Sequence, residues 1–217
     1  DNTQAKIQLT NRNGQNISND RIGDPRVGTL SSSMEVYGRG HMVRLTQFWI
    51  QHQMFDNKLD VKLGYFGEGE DFNTFPCDFQ NLALCGSQVG NWDGGIWYNW
   101  PVSQWAIRVK YQLSPELFVQ VGAFEQNPSN LENDNAFKLS GSGTKGAVLP
   151  VEVVWSPKVN GLPGEYRAGY YYSTADSSDV YKDSNGGYAA RSGDDYAPSS
   201  SKHGMWLTLR QQVLSLI

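Results

Sequence analysis

The stretch QWAIRVKY at residues 104–111, followed by LFVQVGAF at residues 117–124, decides the fold class of this chain. Apolar and polar side chains alternate through both stretches, and a period of two places one set on each face of a β-strand. A short segment containing LSPE at 113–116 joins the two stretches. The sequence therefore predicts two neighbouring strands connected by a tight turn.

The same alternation recurs along the whole chain. Six further stretches show it, at residues 5–11, 42–54, 59–66, 147–156, 165–174 and 203–213. Long connections lie at 12–41, 67–95, 125–146 and 175–202, and short ones lie at 56–58 and 157–164. The connections at one end of the sheet are therefore short and those at the other end are long, as in membrane barrels with short periplasmic turns and long external loops. We predict an all-β, antiparallel, transmembrane up-and-down β-barrel.

A soluble protein is the alternative, because alternation alone does not distinguish a barrel from a secreted carbohydrate-binding β-sandwich. The face opposite the apolar rows carries the charged residues Lys6, Asp60, Lys62, Arg108, Lys110, Glu152, Arg167 and Arg210. Charges in the middle of a bilayer cost several kcal/mol each, so in a barrel this face should line water. In a sandwich the apolar face would form the core instead. The unequal loop lengths favour the barrel.

Composition is compatible with a barrel and gives no support to a nucleic-acid partner. The 217 residues contain 7 Trp and 11 Tyr, many of them at predicted strand ends, as in WYNW at 97–100 and YYY at 170–172. Such rings form interfacial girdles in membrane proteins, although aromatic residues also favour strands in any sheet. The net charge of −4 lacks the basic excess that nucleic-acid binding requires.

Two cysteines, Cys77 and Cys85, share one predicted loop. Their spacing allows a local disulfide that would pin the loop, and a disulfide would imply the periplasm or the cell exterior. Two free thiols are the alternative. No histidine is close enough in sequence to suggest a zinc site with them.

Arginine and carboxylate residues cluster in the first two long connections. The cluster consists of Arg21, Arg26, Glu35, Arg39, Arg44, Glu68, Glu70 and Asp71. Guanidinium and carboxylate groups bind sugars by making paired hydrogen bonds to vicinal hydroxyls, while nearby aromatic faces cover the C–H side of the sugar ring. Ion pairs within solvated loops are the alternative interpretation.

Catalysis is not expected. A glycosidase needs two carboxylates at a fixed separation across a cleft, and the adjacent positions of Glu68, Glu70 and Asp71 do not establish one. The segment GSGTKG at 141–146 has the wrong order for a phosphate-binding loop. We therefore expect neither an enzyme nor a cofactor, and leave open a structural cation in an acidic loop.

Several long runs resemble the OprB family of carbohydrate-selective porins. They are NRNGQN (11–16), SNDRIGDPRVG (18–28), GYFGEGEDFNTFPCDFQNLALCGSQVGNW (64–92), GIWYNWPVSQW (95–105), FVQVGAFEQNPS (118–129), PVEVVWSP (150–157) and GEYRAGYYYS (164–173). The runs are specific, and together they cover nearly the whole chain.

The resemblance implies a barrel of 16 strands in the Gram-negative outer membrane that passes glucose and related sugars through a narrow eyelet. It implies that residues 67–95 form a constriction loop, pinned by a disulfide between Cys77 and Cys85. The implied eyelet residues are Arg21, Arg26, Glu35, Arg39, Arg44, Glu68, Glu70, Asp71 and Trp92. Expected partners are glucose-like mono- or small oligosaccharides and outer-membrane lipid, in a monomer or homotrimer, with no nucleic acid and no cofactor.

The chain is about half as long as a 16-strand barrel requires. We therefore expect residues 1–217 to be a single porin barrel domain that is an internal portion of a longer protein. An eight-stranded barrel is the closed alternative, but its interior would be filled by side chains and would not pass sugar.

Overall fold

A computed structural model of the chain describes residues 2–14, 21, 23, 41–74 and 86–214. Its strands are β1 (Thr3–Arg12), β2 (Met42–Met54), β3 (Leu59–Phe66), β4 (Gln104–Ser114), β5 (Leu117–Gln126), β6 (Gly146–Trp155), β7 (Lys158–Val159), β8 (Leu162–Ser173), β9 (Ser177–Asp183), β10 (Tyr196–Ser199) and β11 (Lys202–Gln211). Two four-residue helices, α1 (Val89–Trp92) and α2 (Ala189–Ser192), lie in the connections.

The main sheet is a curled, half-barrel meander in which each long strand pairs antiparallel with the next. Its order is β1–β2–β3–β4–β5–β6–β8–β11, and the short β7 pairs with β8. The eight strands predicted from alternation are these eight, so the prediction of an antiparallel up-and-down sheet is confirmed. Strands β9 and β10 form a separate hairpin inside the segment predicted as a loop.

Local backbone chemistry explains the tight turns. Between β2 and β3, the residues Phe55, Asp56 and Asn57 all have positive φ, a conformation that Asn and Asp tolerate better than most residues. Between β7 and β8, Asn160 and Gly161 adopt positive φ in the same way. The β1–β2 register shifts between Gln8 and Leu9 and leaves a bulge.

The apolar rows of the sheet are its exposed face. Leu63 on β3 is 53% exposed, Ile107 on β4 is 40% exposed and Val121 on β5 is 47% exposed. The antiparallel register sets Leu63 directly across from Ile107. A soluble sandwich would bury these rows against a second sheet, so the convex face has the polarity of a membrane barrel.

Aromatic side chains border this apolar band near both ends of the strands. Tyr111 and Trp155 are exposed near the short turns, and Trp155 lies 5.4 Å from the ring of Tyr166. Trp105 and Tyr172 are exposed near the long connections. These are the positions that an interfacial girdle requires.

The charged rows point to the concave side, but a folded connection covers much of them. Residues 67–103, between β3 and β4, include a 3₁₀ turn at Glu68–Glu70 and helix α1. Phe72 packs edge-on against Phe124 at 5.8 Å, and Trp97 packs against Trp206 at 5.5 Å. The expectation that the whole charged face lines water is therefore wrong. These buried aromatic rings, together with buried charged side chains such as Lys62, Arg108 and Glu152, occupy that side.

A second connection, between β5 and β6, packs against the first residues of β2. It contains 3₁₀ turns at Pro128–Leu131 and Asn133–Asn135. The amide of Leu45 donates to the carbonyl of Ala136 at 3.0 Å, which satisfies β2 backbone beyond the end of its pairing with β3. No helix among the described residues has the length and apolarity of a membrane-crossing helix.

Candidate constriction site

The connection at 67–103 is fastened to the sheet first through Asp71. Lys62 on β3 approaches one carboxylate oxygen of Asp71 at 2.9 Å, and Arg108 on β4 approaches the other at 3.8 Å. Gln120 on β5 donates to the Asp71 backbone carbonyl at 2.6 Å. One residue of the connection is therefore tied to three neighbouring strands.

Asp60 on β3 is the second hub, and its partners lie on β2 and β4. Its carboxylate accepts from Arg108 Nη1 at 2.7 Å, from Gln51 Nε2 at 2.7 Å and from Gln53 Nε2 at 3.2 Å. Lys110 lies 4.0 Å away. A buried carboxylate is tolerated only when it is paired and hydrogen-bonded in this way.

Glu152 on β6 is the third hub, and it is fully buried. One carboxylate oxygen accepts from the Asn73 amide and from Trp206 Nε1, each at 2.9 Å. The other oxygen accepts from Gln120 at 2.8 Å and from Arg167 at 3.2 Å. A single side chain thus joins β5, β8 and β11 to the folded connection.

The returning half of the connection is held by Asp93. Tyr171 on β8 donates its hydroxyl to Asp93 at 2.6 Å, and Lys202 on β11 donates at 2.9 Å to the other oxygen. Gln126 on β5 donates to the Gly95 carbonyl at 2.7 Å. The described parts of the connection are therefore attached along most of the width of the sheet.

Glu68 is buried at the start of the connection and bonds to its far end. Its carboxylate accepts the Tyr98 amide at 3.1 Å. Burial raises the pKa of Glu68 to about 8, although backbone hydrogen bonds, including the one from the Tyr98 amide, oppose that shift. Burial also raises the pKa of Glu70, against the attraction of Lys62, which lies 3.6 Å away.

Arg44 is 2% exposed and contacts the β5–β6 connection. Its guanidinium donates to the carbonyl of Asn130 at 2.8 Å and to the carbonyl of Glu132 at 3.3 Å. Arg44 therefore fastens a second connection to β2, much as Asp71 fastens the first.

Trp92, in contrast, is 60% exposed at the end of α1. It lines an open cavity of about 460 Å³ together with Asn73, Gln88 and residues 205–209 of β11, the last strand in the order of the sheet.

The structure brings part of the predicted site together. Glu70 and Asp71 share Lys62 as a partner. Arg21 is exposed. The predicted residues Arg26, Glu35, Arg39, Cys77 and Cys85 lie outside the described residues.

Sequence reasoning placed Lys62, Arg108 and Glu152 on the charged face but missed their role. Strand register is the signal that could have revealed this role. Lys62 pairs with Arg108 across β3 and β4, and Gln120 pairs with Glu152 across β5 and β6. Their contact with residues 71–73 depends on how the connection folds back, which alternation does not encode. Among the described residues, no group of His, Cys, Asp and Glu could hold a metal ion.

A curled antiparallel sheet with an apolar convex face, a polar concave face and a connection folded inward defines the class of outer-membrane β-barrel pores. The family described as "Carbohydrate-selective porin, OprB family" matches residues 1–215. The chain therefore belongs to the OprB family, whose members are channels and not enzymes.

Individual relatives agree with this assignment. Porin B of Pseudomonas aeruginosa is 65% identical over 215 residues, which are 98% of this chain and 47% of that protein. The putative porin QuiX of Acinetobacter baylyi is 44% identical, over 97% of this chain and 47% of that protein. The high-pH structure of Pseudomonas putida OprB superposes with a TM-score of 0.90 at 68% identity, covering 98% of this chain and 51% of that one. The chain spans about half the length of the curated relatives it matches.

Proposed function

We propose that the protein containing this chain is a porin of the Gram-negative outer membrane that lets glucose and related sugars diffuse through its lumen. The observation that carries this proposal is the inverted polarity of the sheet. Leu63, Ile107 and Val121 are exposed on the convex side, while Asp60, Lys62 and Glu152 are buried on the concave side. Family membership supplies the class of solute.

In this proposal residues 67–95 form the constriction loop of one barrel domain that includes residues 1–217. The contacts of Asp71, Asn73 and Asp93 support this assignment, because they hold the connection against the inner face of the sheet. A disulfide between Cys77 and Cys85 would pin the remainder of the loop. The assembly is a monomer or homotrimer.

The proposed eyelet combines charged groups with an aromatic face. Its proposed members are Arg21, Arg26, Glu35, Arg39, Arg44, Glu68, Glu70, Asp71 and Trp92. Their burial supports a division of labour, in which Arg44 and Glu68 hold the connections and Trp92 meets the solute. Hydrogen bonds from such groups replace the water shell of a sugar, and they must remain weak enough for the sugar to leave.

A secreted sugar-binding sandwich fits the described residues less well. Soluble monomers rarely expose contiguous apolar patches larger than a few hundred Å². The rows that contain Leu63, Ile107, Val121 and Val151 continue across four adjacent strands without a second sheet over them among the described residues. Lipid is the medium that such a surface suits.

The test is planar-bilayer conductance of the full protein that contains this chain, with glucose added in steps. We expect stable channels whose current falls as glucose rises, because a sugar in the constriction excludes ions. Glycerol at matched viscosity is the control solute. Channels that respond equally to glucose and glycerol would leave a general pore, and a protein that stays soluble without detergent and forms no channels would contradict the proposal.

A further inference from the structure

Two strands in the interior of the sheet leave a notch at the end that carries the long connections. Strand β2 begins at Met42, but its pairing with β3 begins only at Phe48, which lies opposite Tyr65. After β3 the chain turns towards the concave side at Gly67 and returns to the sheet at β4. Among the described residues, no strand therefore lies beside the first residues of β2 on that side, and their backbone groups need other partners.

Residues 136–139 of the β5–β6 connection, which we call the strap, cross this notch. At one end of the strap, the carbonyl of Ala136 accepts from the Leu45 amide on β2 at 3.0 Å. At the other end, the carbonyl of Leu139 accepts from Trp105 Nε1 on β4 at 2.8 Å. The strap therefore runs from β2 to β4, past the end of β3.

The contacts of the strap place it on the convex side of the sheet. Trp105 belongs to the apolar convex row of β4, because it alternates with the buried Gln104 and Ala106. Tyr65 on β3 lies directly across from Trp105, with ring centroids 6.1 Å apart. Tyr65 is nevertheless only 3% exposed, whereas Leu63 in the same row is largely exposed. A strap that bonds to the Trp105 side chain accounts for the cover over Tyr65.

The side chains of the strap face in two directions. Phe137 is 56% exposed, and Leu139 is also exposed. Lys138, between them, turns back into its own connection, where its ammonium group bonds to the Ser129 hydroxyl and the Ser142 carbonyl. The outward surface of the strap therefore consists of two apolar side chains, and its one charge is held within the connection.

We infer that the strap is a lipid-contact element of the barrel, in which Phe137 and Leu139 enter the outer leaflet of the membrane. This inference rests on the proposed porin function. The strap continues the apolar convex rows through Trp105, an aromatic residue of the girdle that marks the membrane interface. Irregular backbone is excluded from the hydrocarbon core, but interfacial segments bury apolar side chains about 5–10 Å deep at the boundary of headgroups and acyl chains. The β5–β6 connection is therefore part of the lipid-facing wall.

The test places the photoreactive residue p-benzoylphenylalanine at single positions of the full porin in phosphatidylcholine vesicles. Phe137→p-benzoylphenylalanine and Leu139→p-benzoylphenylalanine should each give a lipid adduct on illumination, detected by mass spectrometry, because the probe reacts with C–H bonds that it touches. The same probe at Val121, in the middle of the convex face, is the positive control. Asp134 is the matched negative control, because it is exposed in the same connection but precedes the strap. We expect no lipid adduct above background at Asp134.

The outcomes separate the strap from the porin function. If the probe at Val121 gives a lipid adduct and the probes at 137 and 139 give no more than the probe at 134, the strap faces water and the inference is wrong, whereas the porin stands. An adduct with protein in place of lipid at position 137 would also overturn the inference, because the strap would then be covered by another part of the assembly. If the probe at Val121 gives no lipid adduct, the membrane-spanning convex face fails and the strap fails with it.

Discussion

Single carboxylates determine where the long connection lies. Asp71 meets Lys62 and Arg108, and Glu152 meets Arg167, so both of these carboxylates have a cation within 4 Å. Replacing such pairs by apolar residues is often neutral for stability, whereas removing one partner leaves a costly buried charge. The network therefore favours one placement of the connection over others on the same polar surface.

Glu68 gives the connection a dependence on pH. Its pKa is raised to about 8 by burial, whereas a solvated glutamate titrates near 4.5. Opening the connection lets Glu68 ionise between these values, so the closed form loses up to about 1.4 kcal/mol per pH unit as the pH rises through this window. We expect hydrogen exchange of the Tyr98 amide, corrected for intrinsic rate, to accelerate between pH 5 and 8.

Glu68→Gln should remove this pH dependence, because the amide cannot ionise but can still accept from Tyr98. Glu116→Gln changes the same charge in an exposed turn and serves as the control, which should exchange as the wild type does. A wild-type Tyr98 amide whose corrected protection stays constant from pH 5 to 8 would show that Glu68 does not hold the connection closed.

Only part of this residue-level organisation is predictable from the sequence. Glu70 and Asp71 were predicted in the site because they lie in a short acidic run beside aromatic residues. Asp93 was not predicted, because its partners Tyr171 and Lys202 are 78 and 109 positions away. A local pattern of residues predicts strands, whereas the anchoring of a connection depends on contacts between residues that are far apart in the sequence.

At the scale of elements, the eight long strands were predictable because a half-buried sheet imposes a period of two. The β9–β10 hairpin was not, because its strands are rich in Ser and Asp and carry no apolar row. A turn holds it instead, in which Asp183 accepts from the Gly187 amide and the Ser192 hydroxyl, each at 2.7 Å. Turn-forming residues of this kind predict a loop, but they do not predict that two segments of the loop pair with each other as strands.

The pairing of β8 with β11 depends on one small residue. The Trp206 ring lies over Gly169, where a Cβ atom would approach the indole to within 2.0 Å. Gly169→Ala should therefore displace Trp206 and weaken its bond to Glu152. We expect a loss of about 1–3 kcal/mol in the free energy of unfolding, measured by urea titration of the full porin in lipid vesicles.

Gly95→Ala is the matched control, because no atom lies within 4 Å of the Cβ that it adds. Its unfolding midpoint should stay close to that of the wild type. Equal midpoints for Gly169→Ala and the wild type would mean that the ring of Trp206 does not pack on Gly169 in the membrane.

At the scale of the whole molecule, the polarity of the sheet is opposite to that of a soluble protein. The sequence alone did not decide whether the apolar face meets lipid, as in a barrel, or a second sheet, as in a sandwich. The exposure of Val121 and Ile107, together with membership of a porin family, resolves it for the convex face. The lumen is harder to predict, since alternation marks Lys62 and Arg108 as polar-facing without indicating that a connection covers them.

The orientation of the convex face towards lipid leads to a depth-dependent prediction. Val121 lies near the middle of β5 on the exposed face, and Leu113 lies near the end of β4 beside a short turn. An arginine costs about 2–4 kcal/mol at the bilayer midplane and about 0–1 kcal/mol near the interface. Val121→Arg should therefore lower the free energy of unfolding in lipid vesicles by the larger amount and Leu113→Arg by the smaller. If the two losses were equal, the convex face would not span the bilayer, because in water neither arginine would face hydrocarbon and both would cost little.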